Sequence, residues 1–181
     1  MKQLLSVLSV ILLLGAGSPA TAQEIGKVLG DLRARQIGPA VMSGRVSGLD
    51  AVSDNPNIVY VGSASGGVWR SNNGGATFRA IFDEHIMSIG KVTIDQNNPD
   101  TVWVGTGEPW PRNSVSIGKG VYKTTDGGGS WSLMGLENTE RISDIIVHPD
   151  DPNTVYVAAL GHLWGPNPER GVYKTTDGGQ N

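Results

Sequence analysis

Short apolar segments recur along this chain, and each of them has the pattern of a β-strand. Val92 and Ile94 alternate with polar neighbours, which is typical of a half-buried strand. The run Val102-Trp103-Val104 combines β-branched and aromatic residues, which also favour strands. Turn residues such as Asn97-Asn98-Pro99-Asp100 separate the segments. Only residues 23–35 suggest a short helical turn, so the sequence predicts a chain of strands.

Two phrases repeat three times, with a period near 50 residues. The first phrase contains an Asn/Asp-Pro turn and an apolar strand, and it occurs at 55–62, 98–105 and 151–158. The second phrase starts with Gly-Val and ends with Gly-Gly, and it occurs at 67–75, 120–128 and 171–179. A period of this length with several strands per unit is typical of propeller blades.

The second unit shows how four strands fit into one repeat. Its predicted strands are Ile89–Asp95, Thr101–Thr106, Gly120–Thr124 and one that begins near Ser130-Trp131. We therefore predict an all-β fold, a β-propeller of four-stranded antiparallel blades. About three blades are expected, at about 41–86, 87–139 and 140–181, after a lead-in at 23–40. The third unit lacks its last strand, so we expect the N-terminal part of a longer protein.

Residues 1–22 have the pattern of a signal peptide. Lys2 precedes an apolar run from Leu4 to Ala16, and Ala20-Thr21-Ala22 is a small-x-small cleavage site. The run is shorter than the about 20 residues of a typical membrane span. A membrane anchor or a buried first helix is the alternative. We expect cleavage after Ala22 and a secreted or periplasmic protein with no stable membrane span.

Three tight turns match the pattern Ser/Thr-x-Asp-x-Gly-x-Ser/Thr-Trp, and we call them box turns. In the first, Asn73 replaces Asp and Phe78 replaces Trp, and the sequence ends before the aromatic position of the third. An Asp at the third position accepts hydrogen bonds from the N–H groups of its own turn. The Gly adopts a backbone conformation that is costly for other residues. The aromatic side chain folds back over the turn and packs as its apolar contact. One carboxylate per turn supplies too few oxygens for calcium, so a structural role is favoured over a calcium site. The pattern residues are Ser71, Asn73, Gly75 and Phe78; Thr124, Asp126, Gly128 and Trp131; and Thr175, Asp177 and Gly179.

Composition excludes several classes of function. The formal net charge is −3 and Lys and Arg are not clustered, which argues against a nucleic-acid partner. Cysteine is absent, and no second His stands at metal-ligand spacing to His162, so neither disulfides nor a metal site are expected. No motif for a cofactor is found, and none is expected.

With these box turns the sequence resembles the bacterial-neuraminidase (BNR, or Asp-box) repeat proteins. It is most similar to the sortilin-type N-terminal propeller and to related large bacterial exported proteins. The resemblance rests on the box turns, on Gly-Thr-Gly-Glu at 105–108 and on the segment 157–167, and it covers about residues 36 to 181. It implies a propeller fold, and a function in recognition of a protein, peptide or glycan.

Relatives with this repeat include xyloglucan-cleaving glycoside hydrolases, which is the alternative function. Their first blade resembles residues 44–70, and one of their two catalytic carboxylates falls at the position of Ala64. Alanine neither donates a proton nor activates water. A hydrolase would therefore need catalytic residues outside this chain, with Glu108 the only weak candidate within it.

Long inserts between the second and third strands of units two and three are the expected binding loops. Glu108 to Lys119 forms one insert, and the segment around His162 forms the other. Charge and aromatic stacking there suit a peptide or a glycan, although Glu108 is also interpreted as pairing with Arg112 to fix its loop. The binding candidates are Arg45, Glu108, Trp110, Arg112, Asn113, His162, Trp164 and Arg170.

Overall fold

The computed structural model describes residues 45–111, 113 and 115–181. The predicted signal peptide, the lead-in, the first residues of blade 1 and Arg112 lie outside the described residues. Every described residue belongs to one unit of the chain, Ile37–Asn181. The strands are β1 (Val46–Val52), β2 (Asn55–Ser63), β3 (Gly67–Ser71), β4 (Arg79–Ala80), β5 (Ile89–Ile94), β6 (Val102–Thr106), β7 (Val121–Thr124), β8 (Ser132–Gly135), β9 (Ile142–Val147), β10 (Val155–Ala159) and β11 (Gly171–Thr175).

The strands form three separate sheets, in which neighbours along the chain are neighbours in space. Blade 1 has the order β1-β2-β3-β4, blade 2 has β5-β6-β7-β8, and blade 3 has β9-β10-β11. All pairings are antiparallel, and the first strands β1, β5 and β9 lie beside one another from blade to blade. The predicted all-β propeller architecture of four-stranded antiparallel blades is confirmed, with a third blade of three strands.

The alternation of side chains along β6 explains why its whole centre is apolar. Val102 and Val104 point towards blade 1, whereas Trp103 points towards blade 3, because successive residues of a strand face opposite sides of its sheet. Each side is one core between two blades. The core between blades 1 and 2 includes Tyr60, Val68, Phe82, Ile89, Val92 and Tyr122, and the core between blades 2 and 3 includes Val121, Ile142, Ile145, Val155 and Val157.

Two glycines permit the close approach of neighbouring blades. A Cβ at Gly62 would lie 2.6 Å from the Ile89 Cγ2 atom of blade 2. A Cβ at Gly105 would lie 2.4 Å from the Ile142 Cγ2 atom of blade 3. Both glycines hold the same register position in their blades, since each precedes the last residue of the second strand. The final glycine of the first repeated phrase is therefore a packing requirement.

The box turn of blade 2 is held together by its own side chains. Asp126 Oδ1 accepts hydrogen bonds from the Thr124 hydroxyl (2.6 Å) and from the amides of Gly129 (2.8 Å) and Ser130 (2.9 Å). Its Oδ2 atom accepts one from the Ser130 hydroxyl (2.6 Å). Gly128 adopts a φ of 94°, a left-handed conformation that suits glycine. The turn at Thr175 and Asp177 repeats this arrangement.

The box turn of blade 1 uses an amide where the others use a carboxylate. Asn73 Oδ1 accepts hydrogen bonds from the Ser71 hydroxyl and the Thr77 amide, both at 2.9 Å. Asn73 Nδ2 donates to Thr77 Oγ1 at 2.8 Å, whereas Ser130 Oγ donates to the carboxylate in blade 2. The hydroxyl at this position thus changes from donor to acceptor, and Asn is a functional substitute for Asp in this turn.

The box carboxylates make stability depend on pH. Hydrogen bonds from the Ser130 hydroxyl, the Thr124 hydroxyl and the Ser130 amide hold the pKa of Asp126 well below its usual range. The Thr175 hydroxyl and the Asn181 amide lower the pKa of Asp177 in the same way. A depressed folded-state pKa adds stability above the unfolded pKa of about 3.9, and that stability is lost as the pH falls towards the folded pKa.

We therefore expect the free energy of unfolding to fall between about pH 5 and pH 2, and to fall less steeply in Asp126→Asn/Asp177→Asn. The double variant reproduces the amide of Asn73 and removes both titrations. Urea unfolding at a series of pH values measures the effect. Parallel curves for the wild type and the double variant would contradict this origin of the pH dependence.

No described residue belongs to a helix that is long and apolar enough to cross a membrane.

Candidate functional site

The loops between second and third strands gather at one edge of the blades. In each blade the first strand begins where the second strand ends, because the two are antiparallel. One backbone hydrogen bond repeats there: Ala64, Gly107 and Leu160 donate to the carbonyls of Arg45, Ser88 and Arg141 at 2.9, 2.8 and 2.9 Å. We call this edge the insert rim; its described residues are 64–66, 107–111, 113, 115–120 and 160–170.

A buried ion pair joins blades 1 and 2 at the insert rim. Arg45, directly before β1, pairs through Nη2 with Oε1 of Glu108, which lies two residues after the end of β6. The Glu108 side chain is 1% exposed, and the Arg45 side chain is about one-third exposed. The sequence predicted a pair of Glu108 and Arg112, and Arg112 lies outside the described residues; the neighbouring blade brings Arg45 to Glu108 as well. The buried Glu108 carboxylate thus joins blades 1 and 2 at the rim.

A second group of charges lies at the rim of blade 3. Arg141 is buried, and its guanidinium donates to the Gly161 carbonyl (3.2 Å) and to Glu140 Oε2 (3.1 Å). His162 Nδ1 lies 3.2 Å from Glu140 Oε1. Glu140 and Arg141 were not among the predicted site residues. The repeat carries a signal for Arg141, because Arg45 and Arg141 hold the same position before the first strand of their blades.

Arg170 supports its own loop. Its Nε atom donates to the Leu160 carbonyl (3.0 Å) and its Nη2 atom to the His162 carbonyl (3.1 Å). Both acceptors lie at the start of the same insert, so the guanidinium ties the two ends of the loop together. These hydrogen bonds engage the two N–H groups of a fork that could otherwise bind a ligand carboxylate, so Arg170 positions its own loop.

Two tryptophans dominate the exposed part of the insert rim. Trp110, in the insert of blade 2, is 71% exposed, and Trp164, in the insert of blade 3, is 85% exposed. Asn113 is also exposed, as is Ile117. Both indole rings project from loops of the same rim, and exposed rings of this kind make them the candidate contact residues of that rim. Of the predicted binding residues that the structure describes, the exposed ones are Trp110, Asn113, His162, Trp164 and Arg170, whereas Glu108 is buried.

The described residues offer no group of three or more His, Cys, Asp or Glu side chains that could hold a metal ion. Ala64 is buried directly after β2, and its amide donates to the Arg45 carbonyl. Position 64, where the xyloglucan-cleaving hydrolases are expected to have a catalytic carboxylate, thus carries a small, buried apolar side chain.

The repeated sheets, packed side by side through their first strands, define the class of the fold, which is a β-propeller. Solved structures agree. An ancestral GH74 enzyme is 23% identical with a TM-score of 0.59, and the match covers 81% of this chain and 19% of that one. The GH74 enzyme of Niastella koreensis is 24% identical with a TM-score of 0.54, and the match covers 72% and 20%.

Similarity at this level of identity shows the fold alone. The chain spans about a fifth of the length of these GH74 structures. No family model matches the chain, and no curated protein matches it.

Proposed function

We propose that this chain is part of a secreted β-propeller of the BNR-repeat type that recognises a glycan through its insert rim. The observation that carries the proposal is the exposure of Trp110 and Trp164 on neighbouring loops of one edge. The signal-peptide pattern of residues 1–22 supports export, where polysaccharides and glycoproteins are met.

Charge at the rim favours a glycan over a peptide as the ligand. Arg45, Arg141 and Arg170 all make contacts within the protein, through Glu108, Glu140 and backbone carbonyls. These contacts leave the flat indole faces as the most accessible recognition elements. An indole stacks on the apolar face of a sugar ring, and large aromatic residues dominate binding energy in interfaces. A peptide or protein ligand is the alternative that the experiment must separate.

The predicted result is loss of glycan retention in the tryptophan variants. Each of Trp110→Ala and Trp164→Ala should weaken binding about tenfold, and the double variant about a hundredfold, since about 1.4 kcal/mol corresponds to each tenfold change. Affinity electrophoresis through gels that contain soluble β-glucans, xyloglucan among them, measures the change. Tyr156→Ala, which removes an aromatic residue exposed away from the insert rim, is the matched control.

Two outcomes would contradict the proposal. Equal retention of the wild type and the double variant would remove the tryptophans from recognition. Binding to a peptide array that depends on Trp110 and Trp164, with no glycan retained, would replace the glycan by a peptide. New reducing ends in the same samples would favour the alternative function, a glycoside hydrolase. Its two catalytic carboxylates would then lie at positions other than 64 and the buried Glu108.

A further inference from the structure

A pocket of about 460 Å³ lies between blades 1 and 2. One of its walls is the segment 80–85, at the end of β4, and the other is residues 129–131 of the box turn of blade 2. Both walls belong to complete four-stranded blades that share one core. None of the residues that line this pocket belongs to the insert rim, so it is a separate site.

Aromatic rings line the inner part of the pocket. The Phe82 side chain is 1% exposed, and its ring centroid lies 5.0 Å from that of Trp131 and 4.7 Å from that of His85. Trp131 and His85 are half-buried, and both line the pocket together with Phe82. Aromatic walls of this kind suit an apolar stem or an organic cation, because the face of an indole ring attracts positive charge.

Hydrogen-bond donors on the box-turn wall are engaged within the protein. The Trp131 Nε1 atom donates to the Ile81 carbonyl at 2.7 Å. The amides of Gly129 and Ser130 donate to Asp126 Oδ1 at 2.8 and 2.9 Å, and the Ser130 hydroxyl donates to Oδ2 at 2.6 Å. A ligand anion would have to displace these bonds, so this wall does not suit an anion.

The opposite wall offers acceptors instead. Asp83 and Glu84 are exposed and line the pocket. Neither carboxylate forms an ion pair or a hydrogen bond with another described residue, and no described Lys or Arg lines the pocket. Two negative charges beside aromatic rings complement a ligand that is positively charged and donates hydrogen bonds.

We propose that this pocket binds a primary alkylammonium group, with its stem against the Trp131 ring and its N–H groups donating to Asp83 and Glu84. An ammonium carries three donors and no acceptor, which matches a pocket with open acceptors and engaged donors. Its alkyl stem is apolar and packs on aromatic surface while the charged end remains near water. A free amine and the lysine side chain of a peptide share this chemistry.

Binding of a single ammonium group should be weak. Both carboxylates are exposed, so water and salt screen their attraction for the ligand. We expect a dissociation constant of about 1 mM for a ligand that carries one alkylammonium group.

The test is an NMR titration of the chain with Nα-acetyl-lysine amide, from about 0.1 to 20 mM, which brackets that dissociation constant. The reporter is the indole N–H signal of Trp131, which is assigned by its loss in Trp131→Phe. This signal should shift in a saturable way. Nα-acetyl-norleucine amide has a similar stem without the ammonium, and it should leave the signal unchanged.

Two matched variants test the carboxylates. Asp83→Asn/Glu84→Gln should weaken binding of the lysine derivative at least about tenfold, since it removes both charges. Asp54→Asn/Asp150→Asn removes two exposed carboxylates outside the pocket and should bind like the wild type. The two variants change the net charge equally, so the comparison separates a local contact from a general attraction for cations. All four side chains are exposed, so both variants should fold, which circular dichroism checks.

The source of the ammonium group follows from a second probe, n-butylammonium. If it binds at least as tightly as the lysine derivative, the ligand is a free amine, and if the lysine derivative binds more tightly, the ligand is a peptide side chain. An unshifted Trp131 signal at about 20 mM would overturn the proposal. So would equal binding of the norleucine derivative, or equal affinity of the wild type and Asp83→Asn/Glu84→Gln.

Discussion

Trp131→Ala should lower the free energy of unfolding by about 3 kcal/mol. The indole joins two blades, since it meets the Phe82 ring edge-on at 5.0 Å and its Nε1 atom donates to the Ile81 carbonyl at 2.7 Å. Removing a large aromatic side chain from a core costs about 3–5 kcal/mol, and the half-buried position of Trp131 places it at the lower end. Urea unfolding measures the loss.

Two companion variants separate the causes of this loss. Trp131→Phe retains a ring but not the N–H group, so it should cost about 1 kcal/mol for the hydrogen bond in addition to a small packing loss. Trp110→Ala removes the same side chain from an exposed site and should change stability by less than about 0.5 kcal/mol. Equal losses for Trp131→Ala and Trp110→Ala would show that Trp131 does not hold the blades together.

Arg45→Met should destabilise the protein by about 2–4 kcal/mol, because it removes the Arg45 partner of the buried Glu108 carboxylate. This loss of stability is smaller than the loss expected for a fully buried ion pair, since water screens the exposed third of the Arg45 side chain. Arg45→Met/Glu108→Leu should recover most of the loss, because both charges then leave the interior together. Equilibrium unfolding of the two single variants and the double variant forms the thermodynamic cycle.

The exposed pair of Lys119 and Glu137 is the control for this cycle. Its charged atoms are 3.7 Å apart and both side chains are about half exposed, so Lys119→Met should change stability by less than about 0.5 kcal/mol. A double variant at Arg45 and Glu108 that is as unstable as Arg45→Met would contradict a coupling between the two residues.

The fold could be predicted from the sequence because local sequence patterns determine its strands and turns. Each signal depends on a few neighbouring residues, as in the alternation along β5, the apolar centre of β6 and the glycines of the box turns. The repeat shows these signals in each of its units. The box turn at Asp126 depends on neighbours within four residues, so its hydrogen bonds could also be anticipated.

The site was less predictable because its contacts cross between blades. Arg45 meets Glu108 across 63 positions of sequence, and no local pattern indicates a partner so distant along the chain. A lone arginine after a loop, such as Arg141, has the pattern of a solvated charge, and only its alignment with Arg45 in the repeat distinguishes it. The exposure of Trp110 and Trp164 also depends on the blades that hold their loops.

The box turn of blade 1 has a consequence for chemical ageing. Asn73 precedes Gly74, and an Asn-Gly pair deamidates when the glycine nitrogen attacks the amide carbon and ammonia leaves. Here the Gly74 amide instead donates to the Asn57 carbonyl at 3.0 Å, and the Asn73 amide is held by Ser71 and Thr77. These hydrogen bonds hold the Gly74 nitrogen and the Asn73 side-chain amide in other contacts. An Asn-Gly pair that deamidates in an unfolded chain should therefore resist deamidation in this turn while the blade is folded.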